Sequence, residues 1–103
     1  MAFRIRPFAE YDLADSMDWY AFQQPGLELD FLDEVDKTIR FINQNPYAYA
    51  VKYIRKGISI RIAPLQRFPF VVVYFFDELQ GLVIIEAVWH TARNPKNWKS
   101  RLH

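Results

Sequence analysis

The sequence has no cysteine, only two histidines, three glycines, and no long apolar run. Without cysteine it can form neither a disulfide nor a thiolate metal site. His90 and the terminal His103 leave little for a histidine-based site, so no metal and no cofactor are expected. Every apolar stretch falls short of the roughly 18 residues that suggest a membrane span, so no membrane partner is expected either. Met1-Ala2-Phe3-Arg4-Ile5-Arg6 lacks the long apolar segment of a signal peptide, and a cytoplasmic protein is the default.

What is present is apolar and aromatic. Of 103 residues, 51% are hydrophobic and 17% aromatic, enough to build the core of one domain and too much for a disordered chain. The net charge of +1 hides a division. Up to Val51 there are nine acids against four bases, and from Lys52 onward nine bases against three acids. An acidic half is thus followed by a basic one, and the basic half suits a polyanion or an acidic protein.

Phe3-Arg4-Ile5-Arg6 alternates and predicts a short strand closed by Pro7. A helix is expected from about Ala9 to Gln23, with Ala9, Leu13, Met17 and Tyr20 on its apolar face. Pro25-Gly26 breaks it. A second helix, about Glu28 to Asn43, carries the stripe Leu32, Val35, Ile39 and Ile42. Asp33–Lys37 and Asp36–Arg40 are its acid-to-base pairs at i,i+4, and the hairpin acids read as a solvated face. Four further strands follow: Tyr49 to Arg55, Ile58 to Ile62, Phe70 to Phe76 and Leu82 to His90. The fold class expected is α+β, in the order β-α-α-β-β-β with one further short strand. A two-helix hairpin packs on one face of a small antiparallel sheet. Residues 1–103 make a single domain whose basic tail begins near 94.

Strand parity predicts which side chains meet. If Ile58, Ile60 and Ile62 face the helices, Arg61 faces out. On the last strand, Glu86, Val88 and His90 share one parity, and their polarity points that side outward. Trp89, of the other parity, is expected to anchor the strand against the helices. The open face would then carry Arg61, His90 and Arg67, with Arg93 at its rim. Lys96, Lys99 and Arg101 should be exposed unless Trp98 packs down and orders them. Pro69 is expected to be trans.

The order of elements, with Trp19-Tyr20 in the first helix and Phe31-Leu32-Asp33-Glu34-Val35 in the second, resembles toxins of the RelE/ParE superfamily of bacterial type II toxin–antitoxin modules. Asn45-Pro46 after the second helix belongs to the same likeness. So do Arg67-Phe68-Pro69-Phe70, Tyr74, and His90 with Arg93-Asn94-Pro95 and Trp98. The resemblance implies a growth-inhibiting toxin of a plasmid-stabilisation type, neutralised by a cognate antitoxin. ParE-like members poison DNA gyrase. RelE-like members cut mRNA on the ribosome without a metal, using a base, an acid and cations on the phosphorane. An inactive homologue that only binds is a third reading.

The resemblance and the expected open face together give candidate site residues. His90 falls where some RelE-like nucleases keep a catalytic histidine. Arg61, Arg67, Tyr74, Arg93, Lys99 and Arg101 are candidates for contact with the target. Arg61, Arg67 and Arg93 are the expected antitoxin anchors, gripping carboxylates from a segment laid along the open sheet face. One departure favours the ParE-like reading: Val71 stands where ribosome-dependent members carry an arginine, three residues before the strand tyrosine.

Overall fold

The structure is a computed structural model that describes residues 3–101. Met1 and Ala2, which open the stretch read against a signal peptide, and Leu102 and His103, which end the basic tail, lie outside the described residues. The chain runs β1 (Phe3–Ile5), α1 (Pro7–Gln23), α2 (Leu27–Gln44), β2 (Val51–Arg55), β3 (Ile58–Pro64), β4 (Phe70–Asp77), β5 (Leu82–His90) and α3 (Lys96–Lys99). Pro7 takes the first helical position, where its missing N–H costs nothing. Gly26, at φ 99°, makes the left-handed turn between the helices. Lys56 and Gly57 both have positive φ, as a two-residue hairpin turn requires.

The sheet order is β1-β5-β4-β3-β2. Strands β2 to β5 form the expected antiparallel meander, while β1 joins β5 in parallel and makes the sheet mixed. β1, the first strand of the chain, lies at the outer edge beside β5, the last. The bond before Pro69 is trans.

One face of the sheet carries α1 and α2. Ala9, Phe31, Val35, Ile39 and Ile42 meet Val72, Tyr74, Val83, Ile85 and Val88 there. Phe31, not Leu32, completes the buried stripe of α2, since Leu32 remains 36% exposed. Its ring stacks edge-on with Phe68 and Phe70, 5.2 and 4.9 Å between centroids.

The far face is not open. Ile60, Val73, Ala87 and Trp89 form a second apolar cluster there, closed by Trp98 of α3. This inverts two expectations. Ile60 and Ile62 turn away from the hairpin, because Trp98 of α3 covers the far face. Trp89 anchors β5 against α3 and not against the hairpin. Trp98 does pack down, with 2% of its surface exposed.

Candidate functional site

The geometry of the C-terminal half turns on one inserted residue. Val73 pairs with Ala87 and Tyr74 with Ile85, so Glu86 is an extra residue in β5, a β-bulge. The bulge resets strand parity. Glu86 stays on the far side with Ala87, whereas Val88 returns to the helix-side core. The shared outward face expected for Glu86, Val88 and His90 therefore does not exist.

Glu86 is buried, and its carboxylate meets Arg6 Nε at 2.9 Å. Burial pushes its pKa up, and the nearby Arg6 and Arg101 charges pull it part of the way back. Arg55, Lys56 and Phe75 share the small cleft around it. In the sequence Arg55 and Lys56 are only members of the basic half at the approach to a turn, and no local signal places them beside Glu86.

Arg101 is not a free tail residue. Its guanidinium grips the Asp12 carboxylate with Nη1 at 2.8 Å and Nη2 at 3.0 Å. The same carboxylate accepts the Val88 N–H at 3.1 Å. Asp12 is buried, so the reading of the hairpin acids as solvated fails at this residue. The cause is topological: β1 ends at Ile5, and α1 lies where the next strand would have satisfied Val88.

Arg93 and Lys99 remain available on the far side. The Arg93 guanidinium stacks 3.8 Å from the Trp89 ring centroid, a cation–π contact that holds the plane while leaving its edges in solvent. Arg101 approaches the same ring at 5.1 Å. The Lys99 ammonium lies 4.6 Å from the Tyr53 ring. The far side thus presents bases held on aromatic rings, Arg93 on Trp89 and Lys99 near Tyr53, as well as Arg55 and Lys56 in the cleft around Glu86.

His90 lies at the rim on the opposite side. Its ring stands edge-on to Phe70, a member of the helix-side core, at 5.0 Å between centroids. Nδ1 accepts the Ala92 N–H at 3.0 Å, and the His90 carbonyl accepts the Arg93 N–H at 3.0 Å. The Nδ1 lone pair is therefore committed to a turn, and the turn aims Arg93.

Arg61, expected on an outward face, lies on the helix side beside Tyr74, its partner in the β3–β4 register. Its Nη1 donates to the Tyr49 carbonyl, and the guanidinium lies 5.2 Å from the Tyr47 ring. Tyr74 is wholly buried, its hydroxyl donates to the Pro46 carbonyl at 3.0 Å, and burial pushes its pKa up. Arg67 is exposed near α2: Glu34 accepts its backbone N–H, and Asp30 lies 3.7 Å from its Nη2. Arg61 and Arg67 therefore share no face with Arg93, and a segment laid along the far face reaches only Arg93 of the three. Val71 packs in the far-side cluster opposite Trp89.

Among curated proteins, none matches. A solved structure described as the chromosomal ParDE TA system from P. aeruginosa shares the fold at a TM-score of 0.72 and 18% identity, covering 87% of this chain and 95% of that one. The family model for the ParE toxin of the type II toxin–antitoxin system, parDE, matches residues 3–95, nearly the whole chain. The chain belongs to the ParE toxin family.

Proposed function

We propose that this protein is the growth-inhibiting toxin of a type II toxin–antitoxin module, that a cognate antitoxin neutralises it, and that its target is DNA gyrase. Family membership supports the first part, and a cytoplasmic location goes with it. The choice of gyrase over ribosome-bound mRNA rests on the dispersal of the residues that cleavage would need. Metal-free RNA cleavage wants a base, an acid and cations around one phosphate. Here the His90 Nδ1 is engaged by Ala92, the Tyr74 hydroxyl is buried against Pro46, and Arg93 and Lys99 stand on the other side of the sheet. His90 and Tyr74 are also about 13 Å apart along β4, at roughly 3.3 Å per residue from the Phe70 position that His90 faces.

On this reading the antitoxin presents an acidic segment to the far side, where Arg93 and Lys99 offer donors on aromatic supports. Arg61 and Arg67 then need a separate contact near α2. The test runs purified protein on gyrase with supercoiled DNA and on translating ribosomes. Trapped double-strand breaks without mRNA cuts are expected. Efficient cutting in the ribosomal A site, with gyrase unaffected, is the result that defeats the proposal. Growth arrest on induction, relieved by a short acidic-tailed protein encoded in the neighbouring reading frame, tests the antitoxin part.

A further inference from the structure

Helix α1 carries more apolar surface than the core uses. Ala9, Leu13, Met17 and Tyr20 turn toward the helix-side core, as their spacing predicts. On the other side, Phe8 is 62% exposed, Tyr11 74%, Trp19 50% and Phe22 87%. At about 100° per residue these four, together with Asp15 and Asp18, fall in one sector roughly 100° wide. The stripe runs about 21 Å along the helix, at about 1.5 Å per residue. Its exposed aromatic area is on the order of 500 Å², near the upper end for a monomer without a partner. Asp15 and Asp18 stand exposed between the two aromatic pairs, and neither joins an ion pair among the described residues.

We infer that this stripe docks an amphipathic helix of a partner protein, apolar at both ends of its contact face and basic in the middle. The pattern is specific. Phe8 and Tyr11 at one end and Trp19 and Phe22 at the other stand at the spacings with which one helix meets another. Between them, a facing helix must place lysine or arginine opposite Asp15 and Asp18, since an apolar residue there would bury unpaired carboxylates. The same acids turn away a nucleic acid or an acidic segment. They also make a second copy of this chain the poorer occupant. Two copies meeting stripe to stripe would oppose Asp15 and Asp18 to one another, and α1 has no base to answer them.

The surface lies on α1 and meets Arg101 only at its Phe8 end, where the guanidinium is 4.9 Å from the ring, and the inference does not depend on which target the protein attacks. The experiment uses the purified full chain and two synthetic helical peptides of about 18 residues with the same leucine stripe. One carries lysines at the middle of that stripe, the other glutamates. Calorimetric titration should find the lysine peptide binding at least about tenfold more tightly. Phe22→Ser with Tyr11→Ser, both at exposed positions, should weaken it about tenfold with the melting temperature unchanged. Asp15→Lys with Asp18→Lys should invert the peptide preference. Equal binding of both peptides, a preference that survives the charge reversal, or no binding of either overturns the inference. So does a dimer of the free chain that Phe22→Ser disperses, because the stripe is then occupied by a second copy.

Discussion

Asp12 and Arg101, 89 positions apart, form a two-pronged ion pair that ties α1 to the end of the chain. The pair is largely buried, with 5% and 14% of the side chains exposed, and Val88 completes the carboxylate's set of donors. Breaking such a pair from one side costs far more than a surface ion pair, because the remaining charge stays buried. Arg101→Ala should lower stability by about 3 kcal/mol, measured by urea denaturation. In an Asp12→Asn background the same substitution should cost much less, since no charge is stranded. Equal losses in both backgrounds would show that Arg101 acts through its stacking on Phe8 and Trp89 instead.

The far-side cluster depends on one tryptophan from a four-residue helix. Trp98→Ala should cost about 1–3 kcal/mol, because the ring loses its burial against Ile60, Val73, Ala87 and Trp89 while Arg101 still ties the end of the chain to Asp12. Amide exchange on β3 and β4 should change little. The protection of Trp98 and Lys99, whose N–H groups bond to Pro95, should vanish. An unchanged melting temperature would mean that Trp98 adds nothing to the sheet's stability.

The element order was readable because it rests on local signals. Pro25-Gly26 could only be a turn, and the i,i+4 acid–base pairs of α2 form at 2.9 Å as their spacing requires. The orientation of the sheet was not readable. Ile58, Ile60 and Ile62 alternate correctly, but alternation does not say which side receives the hairpin when both sides are covered. The bulge at Glu86 was invisible for a related reason: period-2 reading assumes one residue per register step, and an inserted residue leaves no compositional mark. The parallel seat of β1 follows from pairing across the chain's whole length, which no local window contains. The candidate site suffered from both errors. Arg93 stands out in the sequence because it follows the strand end at His90 in the run Arg93-Asn94-Pro95, whereas Arg61 lies on the side opposite to the one its parity suggested and nothing local marks Arg6 or Arg55 as neighbours of Glu86.

Glu86 makes stability depend on pH. Burial raises its pKa in the folded state, so the folded chain binds more protons than the unfolded one between the ordinary carboxylate pKa and the raised value. Stability from this group is therefore greatest at low pH and falls as pH rises through that window. Glu86→Gln removes the dependence. The melting temperature of the variant relative to the parent should climb across the window and level off above it. A difference that stays flat with pH would mean that the Arg6 pair fully compensates for burial.

His90 separates the two target chemistries. Its Nδ1 holds the Ala92 N–H and its ring leans on Phe70, so it positions the turn that carries Arg93 onto the Trp89 ring. If that is its role, His90→Asn, which can still accept from Ala92, should retain most growth inhibition, and His90→Ala should lose it together with Arg93→Ala. If His90 instead moves a proton in RNA cleavage, asparagine and alanine should be equally damaging, slowing cleavage by about 10²–10⁴-fold with the fold intact. Gyrase-trapped breaks and mRNA cuts, read side by side for the two variants, distinguish these outcomes. We expect the asparagine variant to stay toxic through gyrase. The reason lies in the packing: the imidazole is engaged by its own turn and by Phe70, while Arg93 and Lys99 stand on the far side of the sheet.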